Sequence, residues 1–310
     1  MKPEILQLSP ILIAAVRDEL EALYTVRRYY EQDDKPAYLR AHGANIEGVV
    51  TGGHTGITGE LLAQLPRVRI IAVNGVGTDA VDLAQARDRG IPVTATIGAL
   101  TEDVADLAIG LLLGVCRGIC TADRFVRADL WPRSETPLAP IPLARQFSGM
   151  RVGIVGMGRV GRAVAQRAAA FGCPIRYTDL HAMDDVPHTF VDDLLTLARD
   201  SDALVLAAAA DNAEGLIDAR VLAALGPQGY LVNVARGRLV NEPDLVAALQ
   251  QGLIAGAGLD VFVDEPRVPP ALYGLDNVVL QPHRASATEQ TRARMGRMVL
   301  ASLAEVLGPR

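Results

Sequence analysis

The sequence predicts an α/β protein built from two doubly wound parallel-sheet domains. Short apolar runs alternate with helical patterns along nearly all of the 310 residues, which is typical of a mostly parallel sheet. Half of the residues are hydrophobic, enough for one large core or two ordinary ones. A glycine-rich turn at residues 156–161 occurs only in the second series of strands and sets that half of the chain apart.

Charge and cysteine content narrow the classes of function. The net charge of −6 argues against a nucleic-acid-binding protein, which usually has a basic face, and is compatible with a small anionic substrate. The three cysteines, Cys116, Cys120 and Cys173, suit a reducing compartment, so a cytoplasmic location is expected. Cys116 and Cys120 are one helical turn apart, but no cluster of Cys and His completes a metal site, and none is predicted.

Neither export nor a membrane is indicated. Residues Met1–Pro10 lack the basic stretch, the long apolar core and the cleavage site of a secretory signal. The longest apolar candidate, around Ala108–Cys116, is too short to span a bilayer and is interpreted as a buried helix.

The first hundred residues contain three apolar runs that predict strands, at Ile46–Val50, Val68–Val73 and Ile91–Thr94. Helical patterns at Thr58–Leu65 and Ala80–Arg89 connect them.

A long apolar helix is predicted to begin at Thr101, whose hydroxyl can cap it, while Glu102 and Asp103 suit the dipole at its first turn. We expect this helix to continue to about Ala128. The segment Trp131–Pro142 then contains four prolines and is expected to form an extended or irregular arm.

A second α/β series begins at Val152. Its first strand is followed by the glycine turn and by a helix through Phe171, and a later helix is expected at Asn241–Gln250. The predicted strands are Val152–Val155, Ile175–Thr178, Ala203–Ala208, Tyr230–Val234, Ala257–Val261 and Val278–Leu280.

The glycine turn GMGRVG has the spacing of a dinucleotide-binding site, and its position between a strand and a helix is the required context. Gly156 permits the tight turn, Gly158 lets the backbone approach a pyrophosphate, and Gly161 lets the helix pack closely on the strand. The helix N-terminus then offers free N–H groups and a favourable dipole to the phosphates.

Asp179 ends the second strand of this series, 18 residues after Gly161, about where a ribose-binding acid belongs. A carboxylate there accepts hydrogen bonds from the ribose hydroxyls and repels a 2′-phosphate, so NAD is favoured and NADP is the alternative. Leu180 and His181 provide no guanidinium for that phosphate, although Arg176 is near. The alternative interpretation of Asp179 is a surface residue in a turn.

Three polar side chains follow later strands: Arg236, Glu265 and His283. Ligands of an open parallel sheet bind beyond the carboxyl ends of the strands, so these residues can converge on one cleft. Reduction of a ketone by hydride needs a proton donor, and His283 suits this role. Glu265 can orient the imidazole, and Arg236 can grip a substrate carboxylate. Singly, each could be an ordinary ion-pair or turn residue; together they favour catalysis. His54, in the loop Thr51–Thr55, is a further candidate to line the cleft.

The chain resembles the D-isomer-specific 2-hydroxyacid dehydrogenase family over nearly its whole length. The matching segments include VGIVGMGRVGRAVAQR from Val152, NVARGRLVNEPDLVAAL from Asn233, GLDVFVDEP from Gly258 and PHRASATEQTR from Pro282. TEDVADLAIGLLL and FGCPIRYTDL are similar to the glyoxylate/hydroxypyruvate reductase and hydroxyphenylpyruvate reductase branch.

The resemblance implies two Rossmann-like or flavodoxin-like domains with a cleft between them. Residues 1–100 plus 286–310 would bind substrate, and residues 101–285 would bind the dinucleotide, with a helix and arm at 101–150 that form a homodimer. Arg236, Glu265 and His283 match the family's catalytic residues, and the amides of Val76 and Gly77 would hold the substrate carboxylate. Trp131 is a candidate to reach the partner's site. The residues expected to contact the dinucleotide are Gly156, Gly158, Arg159, Val160, Gly161, Asp179, Ala235 and Asp260.

Two segments depart from the family pattern. Ala208–Ala209–Ala210–Asp211 replaces the usual Pro and Thr of a loop that contacts the cofactor, and Asp179–Leu180 replaces a Ser-Arg pair that accompanies NADP in the reductase branch. We therefore expect an NAD-dependent enzyme that reduces glyoxylate or hydroxypyruvate. The alternatives are a bulky 2-ketoacid such as hydroxyphenylpyruvate, a non-carboxylate anion such as phosphite, or an NAD-sensing binding module of the same fold.

Overall fold

The computed structural model describes residues 2–133, 141–209 and 213–308, and the chain divides into two compact units. The split unit contains residues 1–100 and 287–310, and the continuous unit contains residues 101–286. The later boundary predicted from the sequence lies one residue earlier, between residues 285 and 286. Part of the predicted arm, residues 134–140, lies outside the described residues, as do Ala210 and Asp211.

Short strands alternate with helices throughout the described chain. The strands are β1 (Glu4–Gln7), β2 (Thr25–Arg28), β3 (Ile46–Thr51), β4 (Ile70–Val73), β5 (Val93–Ala95), β6 (Val152–Val155), β7 (Ile175–Thr178), β8 (Thr189–Phe190), β9 (Ala203–Leu206), β10 (Tyr230–Asn233), β11 (Gly256–Leu259) and β12 (Val278–Leu280). The helices are α1 (Ala14–Leu23), α2 (Lys35–His42), α3 (Gly59–Ala63), α4 (Leu83–Asp88), α5 (Thr101–Cys116), α6 (Ile119–Arg127), α7 (Arg159–Ala170), α8 (Leu194–Arg199), α9 (Ala219–Leu225), α10 (Glu242–Gln250) and α11 (Glu289–Leu307).

The split unit contains a five-stranded parallel sheet in the order β2-β1-β3-β4-β5. Side chains alternate between two cores, so that Leu6 and Val49 are buried on one face while Ile5 and Val50 are buried on the other, against α11. Burial on both faces explains the continuous apolar runs of the strands. β1 and β2 were not predicted from the sequence, because neither is followed by a glycine-rich loop like those that marked β3 and β4, and β2 (TVRR) has only one apolar residue.

The continuous unit contains a seven-stranded parallel sheet in the order β12-β11-β10-β9-β6-β7-β8. Within this sheet, the chain first forms β6 and then adds β7 and β8 on one side of it. It then returns to the other side of β6, where it forms β9 and the remaining strands. The carboxyl ends of β6 and β9 therefore mark the switch point where doubly wound sheets bind ligands. With two parallel sheets connected by helices, the predicted α/β class is confirmed.

The predicted continuous helix from Thr101 to about Ala128 is wrong, because it is two helices. Gly118 adopts a left-handed conformation with φ of 60° between α5 and α6, which glycine tolerates without steric cost. α5 packs against the sheet and buries Leu111 and Leu112, whereas no residue of α6 is buried. Among the described residues, no single helix is long and apolar enough to cross a bilayer; α5 and α6 meet those criteria only together, across a bend of 62°.

An ion-pair cluster fastens the segment before β6 to the amino edge of the larger sheet. Asp202 accepts hydrogen bonds from the guanidinium groups of Arg145 at 2.8 Å and Arg151 at 3.0 Å, and from the Arg151 backbone N–H at 2.8 Å. Arg145 also donates to the backbone oxygen of Gln228 at 2.5 Å. The hydrogen bond from the Arg151 side chain is the largest cause that lowers the pKa of Asp202. With the bonds from the Arg151 backbone and from Arg145, it outweighs burial, which raises the pKa, and holds the pKa at about 2.

Asp202→Asn should therefore destabilise the fold in a pH-dependent way. The lowered pKa makes the carboxylate stabilising above its ordinary pKa of 3.8, and this contribution is lost as the pH falls through about 2. Denaturant unfolding at pH 7 should show a loss on the order of 1–2 kcal/mol, because the Arg151 partner is partly solvated. The difference from the parent protein should shrink below pH 4.

Asp200→Asn is the matched control, because it makes the same chemical change at an exposed pair with Arg176. Its cost should stay below about 0.5 kcal/mol. Equal costs for the two variants, or a cost for Asp202→Asn that does not change with pH, would contradict the role assigned to the cluster.

Candidate active site

The glycine turn after β6 has close backbone packing on one side and open space on the other. Gly156 has a φ of 93°, and a Cβ there would lie 2.4 Å from the Cα of Ala208. A Cβ on Gly161 would lie 2.0 Å from the oxygen of Gly156. At Gly158, by contrast, a Cβ would meet no atom within 4 Å. The turn therefore has the shape of a cradle for a dinucleotide: two glycines required by packing and one facing open space.

Asp179 is fastened to this turn, where the sequence analysis placed it. Its Oδ2 accepts a hydrogen bond from the N–H of Met157 at 2.7 Å, and its Oδ1 accepts one from the N–H of Leu180 at 2.7 Å. α7 begins at Arg159 with no side chain capping it, so the N–H groups of its first turn are open to an anion. These groups fit a dinucleotide, with the acid on the ribose and the helix end on the phosphates.

A guanidinium that the sequence analysis missed also touches the turn. Arg162 donates from Nε to the oxygen of Met157 at 3.2 Å, and its Nη1 and Nη2 pair with the carboxylate of Asp185 at 2.7 and 2.9 Å. Arg176, the arginine noted from the sequence, instead pairs with Asp200 at 2.5 Å. Arg162 lies beside the turn because it directly follows Gly161, whereas its pairing with Asp185 depends on the fold of the loop after β7.

Glu265 and His283 are brought together at the carboxyl edge of the same sheet. They follow the neighbouring strands β11 and β12, and the Oε2 of Glu265 lies 2.8 Å from the Nδ1 of His283. The Oε1 of Glu265 accepts a hydrogen bond from the N–H of Phe262 at 2.9 Å, which fixes the carboxylate on its own loop. Both side chains are partly exposed.

Arg236 follows β10, the next strand along, and its turn is held by a buried amide. Asn233, 1% exposed, accepts a hydrogen bond from the N–H of Ala235 at 3.1 Å and donates one to the oxygen of Arg236 at 2.9 Å. The Nη1 of Arg236 donates to the oxygen of Ala235 at 2.8 Å. Asn233 was not among the predicted site residues, because an Asn at the end of a strand has many ordinary roles.

Asp260 holds the loop that carries His283. It is completely buried, and its carboxylate accepts hydrogen bonds from the N–H groups of Arg284 at 2.7 Å and Ala285 at 3.0 Å. Its backbone oxygen accepts one from the N–H of His283 at 2.8 Å. His283 has a φ of 49°, a conformation that few non-glycine residues adopt and that these bonds secure. Burial raises the pKa of Asp260. Its assignment to the nicotinamide amide stays a prediction.

Glu242 holds the loop that carries Glu265, and it too was missed from the sequence. From the first turn of α10, its Oε1 accepts a hydrogen bond from the N–H of Val263 at 2.9 Å. Burial, with the charges of Asp264 and Glu265, raises the pKa of Glu242. The same loop packs on Gly237, where a Cβ would lie 1.9 Å from the carbonyl carbon of Phe262.

Of the other predicted residues, Trp131 follows α6 in the continuous unit and is half exposed, and the rest lie in the split unit. Val76 and Gly77 are in the loop after β4, and this loop packs on the one after β3, since a Cβ on Gly53 would lie 3.0 Å from the oxygen of Gly77. His54 is exposed in the loop after β3. The roles of these residues toward substrate stay predictions.

A glycine cradle with its acid, and an acid–histidine pair on the same parallel sheet, define a dinucleotide-dependent oxidoreductase. Comparison with known proteins gives the family. Residues 109–285 match the model of the D-isomer specific 2-hydroxyacid dehydrogenase NAD-binding domain. The chain belongs to this family.

Related proteins match along nearly the whole chain. A 2-ketogluconate reductase of Gluconobacter oxydans (strain 621H) is 43% identical, over 97% of this chain and 94% of its own. A glyoxylate/hydroxypyruvate reductase of Arabidopsis thaliana is 41% identical, over 93% and 91%. The crystal structure of a 2-hydroxyacid dehydrogenase from Ketogulonicigenium vulgare Y25 superposes with a TM-score of 0.92 at 41% identity, over 100% and 97%. The predicted family, fold class, NAD(P) dependence and 2-ketoacid reductase class are confirmed.

Asp260→Asn should lower activity and stability together. Both carboxylate oxygens accept backbone N–H groups, and an amide can keep only one such bond. We expect a loss of about 1–3 kcal/mol in the free energy of unfolding and a fall in kcat of about 10- to 100-fold from the displaced imidazole. Glu242→Gln is the control, since one amide oxygen can still accept from Val263. Unchanged kcat in Asp260→Asn would show that Asp260 does not position His283.

Proposed function

We propose that the chain is an NAD-dependent reductase that converts a small 2-ketoacid, glyoxylate or hydroxypyruvate, into the D-2-hydroxyacid. The 2.8 Å contact between Glu265 and His283, beside the strand that carries Arg236, is the observation that supports this most strongly. It supplies a proton donor and its orienting acid at the edge of the sheet that carries the glycine cradle.

Each of the three residues has a distinct role in the proposed reaction. When bound, the dinucleotide supplies the hydride. Arg236 binds the substrate carboxylate as a fork and polarises the carbonyl. His283 donates a proton to the carbonyl oxygen as that oxygen gains negative charge, and Nε2 is the donor atom because Nδ1 faces Glu265. Glu265 holds the ring orientation and stabilises the charged imidazole before the proton leaves.

The dinucleotide is assigned to the cradle and to the strand ends beside it. Asp179 accepts from the ribose hydroxyls and disfavours a 2′-phosphate, so NAD is the proposed cofactor and NADP the weaker one. The residues assigned to this binding are Gly156, Gly158, Arg159, Val160, Gly161, Asp179, Ala235 and Asp260.

The two parts of the chain have separate proposed roles. Residues 101–285 bind the dinucleotide, and residues 1–100 with 286–310 bind substrate. In the latter, the amides of Val76 and Gly77 are assigned to the substrate carboxylate. Both lie in a loop after a parallel strand, at the edge where such sheets bind ligands.

A cytoplasmic homodimer is the proposed form of the protein. α6 and the residues after it present Ile119, Val126, Leu130 and Trp131, each between 42% and 54% exposed. An apolar surface of this kind marks an interface, and a second copy of residues 101–150 is the proposed partner, with Trp131 directed to the partner's site. The three cysteines are free thiols, which suits a reducing compartment.

A panel of 2-ketoacids with both cofactors tests the proposed activity. Oxidation of NADH should be fastest with glyoxylate or hydroxypyruvate, and kcat/KM for NADH should exceed that for NADPH by at least about tenfold, which is a difference of 1.4 kcal/mol. 2-Ketogluconate, hydroxyphenylpyruvate and phosphite with NAD⁺ complete the panel. Faster turnover of one of these would reassign the substrate. Tight NADH binding without turnover of any ketoacid would indicate an NAD-sensing module.

His283→Ala should lower kcat by about 100- to 10,000-fold, the usual contribution of a positioned acid. The Kd for NADH, measured by fluorescence, should change little, because the cradle lies at the end of a different strand. Glu265→Gln is the companion variant: it should lower kcat less, since an amide oxygen can still orient Nδ1. Retained activity in His283→Ala would remove it as the proton donor.

A further inference from the structure

We propose that the pair formed by Arg162 and Asp185 is a second determinant of cofactor choice, in which Asp185 occupies a guanidinium that otherwise binds the 2′-phosphate of NADP. This inference rests on the proposed preference for NAD. It assigns a specificity role to two residues outside the glycine motif and outside the ribose-binding acid.

The first observation is that Arg162 and Asp179 meet at a single residue of the cradle. The N–H of Met157 donates to Asp179 at 2.7 Å, and the oxygen of Met157 accepts from the Nε of Arg162 at 3.2 Å. A ribose bound to Asp179 therefore lies close to the Arg162 side chain, because Asp179 and Arg162 contact the same residue of the glycine turn. Met157 is itself buried, so the packing of its side chain holds this part of the glycine turn in place.

The second observation is that Asp185 pairs with both terminal nitrogens of the Arg162 guanidinium. Its two carboxylate oxygens bind Nη1 at 2.7 Å and Nη2 at 2.9 Å, the fork geometry that a phosphate also takes. Nη2 lies 3.2 Å from the Sδ of Met183 as well. The hydroxyl oxygen of Tyr177 accepts from the N–H of Met183 at 2.8 Å, which ties the segment before Asp185 to the end of β7. Arg162 is thus held by the loop that follows the ribose-binding acid.

The third observation is the balance of charge around the cradle. Asp179, Asp184 and Asp185 lie within one loop, against the positive charges of Arg159 and Arg162 on the turn and helix, so a doubly charged 2′-phosphate still meets a net negative environment. Removal of Asp179 alone leaves Arg162 paired with Asp185. Removal of both carboxylates leaves a guanidinium whose fork matches a phosphate. The two acids are therefore expected to act together, Asp179 by repulsion and Asp185 by occupying the cation.

The test compares ligands that differ only in the 2′-phosphate. Calorimetry gives the Kd of adenosine 2′,5′-bisphosphate and of 5′-AMP for the parent protein, Asp179→Ser, and Asp179→Ser combined with Asp185→Asn. The preference for the bisphosphate should rise by at least about tenfold from the single to the double variant, the effect of a charge-assisted hydrogen bond. The ratio of kcat/KM for NADPH to that for NADH should rise in parallel.

Two controls separate the proposed contact from a change of net charge. The first control combines Asp179→Ser with Asp184→Asn, which removes the same charge from the adjacent acid and leaves the pair of Arg162 and Asp185 intact. Its preference for the bisphosphate should rise by about threefold at most over Asp179→Ser, as expected for screened charges at a surface. Addition of Arg162→Met to the Asp179→Ser/Asp185→Asn protein should abolish the gain. Equal gains with Asp184→Asn and Asp185→Asn, or a gain that survives Arg162→Met, would overturn the inference.

Failure of this inference is distinguishable from failure of the proposed function. A parent protein that prefers the bisphosphate and NADPH would refute the NAD preference itself. A parent protein that prefers NADH, together with no added effect of Asp185→Asn, would refute only the role of the pair. The affinities for the bisphosphate and for 5′-AMP are measured without turnover, so they do not depend on which substrate the enzyme reduces.

Discussion

The parallel hydrogen-bond ladder at the carboxyl edge of the larger sheet is the constraint on which the proposed site depends. The N–H of Asp260 donates to the oxygen of Asn233 at 3.0 Å, and the N–H of His283 donates to the oxygen of Asp260 at 2.8 Å. These bonds extend the ladder of β10, β11 and β12 beyond the strands themselves. The loops that carry Arg236, Glu265 and His283 therefore begin in a fixed register, and only short segments remain to be positioned by side chains.

Buried or partly buried carboxylates position these remaining segments by accepting hydrogen bonds from their backbone N–H groups. Asp260 accepts the N–H groups after His283, Glu242 accepts one before Glu265, and Asp179 accepts one within the glycine turn. A carboxylate removed from water is costly unless donors surround it, so each acid and its loop stabilise one another. The raised pKa values of Asp260 and Glu242 show the cost of burial that these bonds offset. Side chains that take no part in the proposed proton transfer thus position the loops that carry the ones that do.

The sequence was sufficient for features whose cause is local. The glycine spacing at 156–161, Asp179 and the polar residues after β10, β11 and β12 could be found because strand periodicity and turn residues are local properties. The roles of Glu242 and Arg162 could not, because each depends on a contact with a residue distant in the chain. β1, the break at Gly118 and Asn233 could not either, because a short apolar run, a lone glycine and an Asn at a strand end are each compatible with several structures. The arginine nearest to Asp179 in sequence, Arg176, pairs with Asp200, whereas the pairing of Arg162 with Asp185 depends on the fold of the loop after β7.

The reaction proposed for this chain is transfer of a hydride to the C2 of a 2-ketoacid while His283 protonates the oxygen. Its most direct test is reduction of hydroxypyruvate with NADH deuterated at the reactive C4 position, followed by mass and chiral analysis of the product. One deuterium at C2 of D-glycerate is expected, with about 100- to 10,000-fold slower incorporation by the His283→Ala protein. Deuterium at another position, an L product, or no transfer by a protein that binds NADH and each ketoacid of the panel would contradict it.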